Sequence, residues 1–184
     1  MENTITPREK SKKAYSIVRK KQSWKRFGFK AGIFLILLAC VSLFFVRFTI
    51  AFDSQEDRSL PDHIVFLIDK QNKTLERGNI YAFSTEALEG VFNNEKNVVK
   101  VLEGLPGDTV QIDSKSQVVI NGNVVAKGLP LAEALNKKET DFHGKGQLPA
   151  NNYWFMGKSE RSFDSRYWGT INNEQVIGRA YPVF

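Results

Sequence analysis

Residues 97–108 read NVVKVLEGLPGD, and this stretch decides the fold. Its first half is apolar and β-branched, the composition that suits a pleated, partly buried strand. Its second half, Gly104-Leu105-Pro106-Gly107-Asp108, is a turn, since proline presets one dihedral and glycine supplies positive φ. One lysine interrupts the apolar run. Val98, Lys100 and Leu102 fall on one face of such a strand. If that face is outward, Lys100 is solvated, as lone lysines mostly are. If it is inward, burial lowers the amine pKa from ~10.4 by up to roughly 3–5, and a neutral amine becomes available as a base.

The same strand pattern recurs on both sides. Residues 64–68 (IVFLI), 79–84 (NIYAFS), 109–112 (TVQI), 153–156 (YWFM) and 175–180 are strand candidates. Residues 118–125 (VVINGNVV) place Asn121-Gly122 between two β-branched runs, a hairpin signal because both residues tolerate positive φ. Residues 131–138 alone look helical, and a further turn is expected at 144–149. The fold class is mostly β, an antiparallel sheet domain.

Composition narrows the function classes. In 184 residues, 42% are hydrophobic and 25% charged, which excludes wholesale disorder. The single cysteine, Cys40, excludes an internal disulfide framework and a Cys-rich metal site. The net charge of +6 is concentrated. Residues 1–30 hold ten Lys/Arg and two Asp/Glu, a net of +8, which leaves −2 on residues 31–184. The body therefore carries no nucleic-acid signal.

Residues 31–46 (AGIFLILLACVSLFFV) carry no charge, and after Arg47 the apolar run continues to Phe52. A bilayer core needs ~20 helical residues, which 31–52 supply if Arg47 snorkels to the interface. Trp24 and Phe27 stand where an interfacial belt would lie. The basic block before the span puts the N-terminus in the cytoplasm and the body across the membrane. The expected organisation is a basic cytoplasmic segment, 1–30, a transmembrane helix, 31–52, and an extracytoplasmic domain, 53–184. A removable signal peptide cut near Thr49-Ile50-Ala51 is the rival reading, and the 30-residue basic region is long for it.

There is no Gly-rich phosphate loop, HExxH or paired-carboxylate motif. His63 and His143 lack any local motif for a Ser-His-Asp triad. A serine with a lysine base fits better. Ser59, in Asp57-Arg58-Ser59-Leu60-Pro61, sits on a turn shortly after the apolar segment; Ser54 has no neighbouring Pro or Gly to shape one.

Here a family resemblance enters. Lys100 with Gly104-Leu105-Pro106-Gly107-Asp108 resembles the lysine box of type I signal peptidases. Ser162-Phe163-Asp164-Ser165-Arg166-Tyr167-Trp168-Gly169 is similar to their C-terminal Ser-x-Asp-Ser-Arg-Tyr-(Trp/Phe)-Gly box, and Gly78-Asn79-Ile80-Tyr81-Ala82-Phe83 to their Gly-Asp-Ile-Val-x-Phe strand. Ser59-Leu60-Pro61 resembles the Ser-x-Pro of TraF-type conjugative-transfer peptidases. The resemblance covers residues 28–184. It implies Ser59 as nucleophile, Lys100 as general base, Ser162 orienting the lysine, and Asp164 and Arg166 as a supporting pair. It implies no metal or cofactor. It implies a signal-peptide-bearing precursor as substrate, such as a pilin, and an inner-membrane enzyme with its catalytic domain in the periplasm.

Two positions depart from the family pattern. Asp57 stands where a Ser or Thr usually helps the oxyanion, and Gly157-Lys158-Ser159 replaces Gly-Asp-Asn. Asp57 sustains an alternative, a catalytically degenerate, membrane-anchored assembly factor for a secretion or conjugation apparatus. A self-cleaving repressor with the same chemistry would need a soluble DNA-binding region, against which residues 1–52 argue.

Overall fold

The computed structural model describes residues 23–53, 57–86 and 97–184; Ser54 and most of the basic block lie outside the described residues. The chain forms two units, the first ending at Ser42 and the second spanning Leu43–Phe184.

Helix α1 (Trp24–Arg47) has no buried residue, and its length and composition are those of a membrane span. At 1.5 Å per residue its 24 residues extend ~36 Å, enough for a hydrocarbon core of ~30 Å. The expected span of 31–52 is corrected at both ends. The helix begins at Trp24 and stops at Arg47, and Phe48–Phe52 form strand β1. The reason is local. Phe48-Thr49-Ile50 favours a strand, and β1 pairs residue for residue with β2 (Val65–Asp69), Phe48 opposite Asp69 and Phe52 opposite Val65. Arg47 donates to Asp69 through Nη2 at 2.6 Å and Nε at 3.1 Å, so a carboxylate partners the charge expected to snorkel.

The remaining strands are β3 (Ile80–Ser84), β4 (Asn97–Gly104), β5 (Thr109–Ile112), β6 (Gln117–Ile120), β7 (Asn123–Lys127), β8 (Gly144–Gln147), β9 (Asn152–Met156), β10 (Ile171–Asn172) and β11 (Val176–Pro182). Seven form one sheet in the order β1-β2-β11-β3-β4-β9-β10, and four form another, β7-β6-β5-β8. Every described pairing is antiparallel.

The larger sheet is apolar on both faces, which is why its strands read as near-continuous apolar runs. Leu60, Phe66, Ile68, Ala82, Val101 and Ala180 pack in one cluster. Tyr81, Phe83, Leu102, Phe155, Ile171 and Val176 pack in another. Neighbours along β3 and β4 alternate between the two, as the pleat requires. The smaller sheet buries Val110, Ile112, Val118 and Ile120 against Leu129, Leu148, Trp154 and Met156, so β9 ties the sheets together.

The hairpin at Asn121-Gly122 forms as the sequence predicts, with φ of 51° and 84° at its two centre residues. Two expectations fail. Residues 131–138 hold one short 3-10 turn, Glu133–Leu135, closed by Asn136 in the left-handed region. A single apolar-periodic turn is too short to sustain an α-helix. Residues 144–147 form β8 in place of a turn; its exposed Gly-Lys-Gly-Gln sequence carries no alternation, and backbone pairing to β5 holds it.

Candidate active site

Three segments of the larger sheet's surroundings converge. Strand β4 carries Lys100 opposite Tyr81 of β3, and Lys100 is 3% exposed. The loop after β1 carries Ser59, anchored by the buried Leu60. The loop after β9 leads through Gly157 to Ser162, ahead of the short helix α2 (Ser165–Trp168).

Lys100 Nζ donates to Ser59 Oγ and, at 2.9 Å, to Ser162 Oγ. Ser162 Oγ lies 3.4 Å from Ser59 Oγ. The amine thus sits between two hydroxyls. Burial pushes its pKa from 10.5 down to about 8, opposed by the carboxylates of Asp164 and Asp53 and assisted by the Arg166 charge. The inward placement of the Val98–Lys100–Leu102 face is the structural outcome of the two options the sequence left open.

Backbone contacts fix Ser59. Its carbonyl accepts from the Lys158 amide at 2.8 Å and the Ser159 amide at 3.2 Å. Gly157 makes this approach possible. A Cβ there would lie 2.1 Å from Ser162 Oγ and 2.9 Å from the Ser59 carbonyl oxygen, so no other residue fits without displacing both serines.

Asp164 and Arg166 are fully enclosed, at 0% and 1% side-chain exposure. Arg166 Nε donates to Asp164 Oδ1 at 2.8 Å and Nη2 to Oδ2 at 3.0 Å, a bidentate pair. The pair reaches outward on both sides. Arg166 Nη2 donates to the Ser162 carbonyl at 3.0 Å, and Asp164 Oδ2 accepts from the Gly157 amide at 3.1 Å. Ser165 Oγ accepts from the Phe155 amide at 2.9 Å, tying the box to β9. The five sequence-predicted residues Ser59, Lys100, Ser162, Asp164 and Arg166 therefore belong to one connected network.

Sequence reasoning missed the backbone amides of Lys158 and Ser159 and the steric role of Gly157. A glycine five residues before Ser162 was the available signal. Asp57 also has a partner the sequence did not indicate: Arg161 Nε donates to its Oδ2 at 3.2 Å, with both side chains largely exposed.

The histidines lie in other settings. His63 packs edge-on to Phe66. His143 Nε2 is 3.2 Å from Ser116 Oγ, but that hydroxyl donates to Glu139. Its proton is already committed to a carboxylate, and the arrangement is a polar tie between the turn ahead of β6 and the segment ahead of β8.

A hydroxyl in contact with a buried amine of lowered pKa, which also bonds a second hydroxyl, is an arrangement that can support nucleophilic acyl transfer. These contacts are carried on an antiparallel β scaffold. The chain belongs to the family described as signal peptidase, peptidase S26, whose profile matches residues 24–184. It is similar to signal peptidase I of Leptolyngbya laminosa, 36% identical over 113 residues that cover 59% of this chain and 52% of that protein. A probable signal peptidase I-2 of Synechocystis sp. is 29% identical over 182 residues, 96% of this chain and 79% of that one. The chain thus spans about half the length of the first relative and more of the second. Among solved structures, a signal peptidase I from Enterococcus faecalis matches at 28% identity and a TM-score of 0.38, covering 59% of this chain and 98% of the other.

Proposed function

We propose that the protein is a membrane-anchored signal peptidase that removes signal peptides from exported precursors with a Ser59/Lys100 dyad. The observation that carries this reading is the buried Lys100 amine, hydrogen-bonded to both Ser59 and Ser162. Neutral Lys100 takes the Ser59 proton as the hydroxyl attacks the scissile carbonyl. Protonated Lys100 gives that proton to the leaving nitrogen, and the Lys100 amine, neutral again, activates the water that hydrolyses the ester. Ser162 orients the lysine, and the Asp164–Arg166 pair holds Ser162 and Gly157 in place.

Residues 1–30 are the cytoplasmic basic segment, α1 is the anchor in the inner membrane, and the β body is the extracytoplasmic, periplasmic peptidase domain. The +8 charge of residues 1–30 supports this orientation. The Ser59-Leu60-Pro61 sequence favours the TraF-type branch, and with it conjugative-transfer substrates such as pilin precursors. The Arg161 partner of Asp57 weighs against the degenerate alternative, because the out-of-pattern carboxylate is charge-matched beside an intact dyad.

The test is cleavage of a candidate pilin precursor and of a generic signal-peptide precursor by the full-length protein. Wild type should cleave at least one. Ser59→Ala and Lys100→Arg should cleave neither, the latter because guanidinium keeps its proton at working pH. Cleavage retained in Lys100→Arg would sink the neutral-amine mechanism, and cleavage of the generic precursor alone would sink the pilin assignment.

A further inference from the structure

Besides the backbone bonds at the Ser59 carbonyl, the segments bearing Ser59 and Ser162 meet twice through side chains. They meet at the two hydroxyls, 3.4 Å apart, and again at the ion pair between Asp57 and Arg161. Chain geometry bounds where that ion pair lies. Asp57 Cα can stand at most ~7.6 Å from Ser59 Cα, and Arg161 Cα is ~3.8 Å from Ser162 Cα. The pair therefore joins positions one and two residues away from the two serines.

Acylation makes this placement matter. As the Ser59 Oγ–carbon bond forms, the carbonyl π pair moves onto oxygen and the Ser59 proton passes to Lys100 Nζ. The new oxyanion needs positive potential and is repelled by a nearby carboxylate. Asp57 carries a carboxylate two residues before Ser59, and Arg161 is the cation bonded to it. An exposed ion pair contributes little to stability, so fold maintenance is a poor account of this one.

We propose that Arg161 is a positioning residue for acylation: it holds the Asp57 carboxylate and cancels its charge, so that the oxyanion forming at Ser59 is not repelled. This rests on the Ser59/Lys100 reading above. Asp57 and Arg161 thus act as a matched pair, and the liability lies in Asp57 alone.

The experiment compares full-length wild type, Arg161→Ala, Asp57→Ser and Asp57→Ser/Arg161→Ala in detergent micelles, with Ser59→Ala as control. The probe is a peptide with alanine at the first and third positions before the scissile bond. A second probe, p-nitrophenyl acetate, reports Ser59 acylation by intact mass without any peptide. Arg161→Ala should lower kcat about 10-fold with KM near wild type, the order expected for one charge across ~8 Å at an effective dielectric constant between ~20 and ~80. Removing the carboxylate as well should restore kcat to within ~3-fold of wild type, and 1 M salt should partly rescue the single variant by screening. A double variant as slow as Arg161→Ala would mean a mere structural strap and overturn the proposal. So would unchanged kcat in Arg161→Ala, or an effect confined to KM. If wild type and Ser59→Ala cleave the peptide alike, the dyad reading fails. Ester acylation then decides alone: slowing by Arg161→Ala with recovery in the double variant supports charge cancellation, and its lack overturns it.

Discussion

Raising the pH from 6 to 9 should switch on the enzyme and relieve a stability cost at the same residue. Lys100 titrates near 8 in the fold and at 10.5 when unperturbed. At pH 7 the neutral fraction is then ~0.1, against ~0.0003 for an ordinary lysine, a gain of roughly 300-fold in competent base. kcat/KM should rise ~10-fold per pH unit up to about 8 and then level off. The stability sign follows from proton counting. Between about 8 and 10.5 the unfolded chain holds the lysine proton and the folded chain does not, so stability climbs with pH across that window. Below it both states are protonated, and the buried charge costs a constant amount of ~3 kcal/mol. Lys100→Met removes this cost and also the bonds to Ser59 and Ser162, each worth ~0.5–1.5 kcal/mol. The inactive variant should therefore be as stable as wild type at pH 7 or up to ~2 kcal/mol more stable, and its stability should rise less with pH above 8. Peptide cleavage from pH 5.5 to 10 and urea unfolding at pH 7 and 9.5 measure both. A kcat/KM plateau starting below pH 7, or marked destabilisation by Lys100→Met, would refute burial as the force that tunes the base.

Asp164→Ala should destabilise by about 3–5 kcal/mol in denaturant unfolding and lose activity in parallel, because Arg166 is left buried without its carboxylate. Normal stability without activity would make Asp164 a participant in the chemistry. Gly157→Ala should cut kcat ~100-fold while the circular dichroism spectrum stays native, since its Cβ must displace Ser162 Oγ. A reporter active only outside the cytoplasm, fused after Phe184, should be active, with the protein retained in alkaline-washed membranes; a soluble product starting near Phe52 would point to a cleaved signal.

The strands were legible because the larger sheet is apolar on both faces, so 64–68 and 153–156 appear as uninterrupted runs and 97–102 as a run broken by Lys100. Strand β1 was hidden for the same reason. Phe48–Phe52 continues the hydropathy of α1, and only the pairing with β2 separates strand from helix. Strand β8 carries no side-chain pattern at all, and its register comes from the β5 backbone. In the site, Lys100 was legible as the one lysine inside an apolar run, but the direction its face points is a tertiary property. Ser59, Ser162, Asp164 and Arg166 came from motif order. The amides that clamp Ser59 and the Asp57–Arg161 pair involve residues about a hundred positions apart, and no local spacing encodes such contacts.

The Asp164–Arg166 box poses a question its motif does not answer: why place a carboxylate near an amine that must stay neutral? Alone, Asp164 raises the Lys100 pKa and works against the loss of its proton. Arg166 opposes it, lowering the same pKa, and two parallel hydrogen bonds keep the opposing charges together. The pair's field at Lys100 is thereby partly offset, and desolvation remains the largest influence on the amine. What the pair retains is its directional bonding, to the Ser162 carbonyl on one side and the Gly157 amide on the other. A single charged residue could hold one of these contacts only by perturbing the base. A neutral apolar substitute would leave Lys100 undisturbed but could hold neither. The buried ion pair serves both demands, rigid placement of Ser162 and Gly157 around Ser59 with little net charge added beside Lys100.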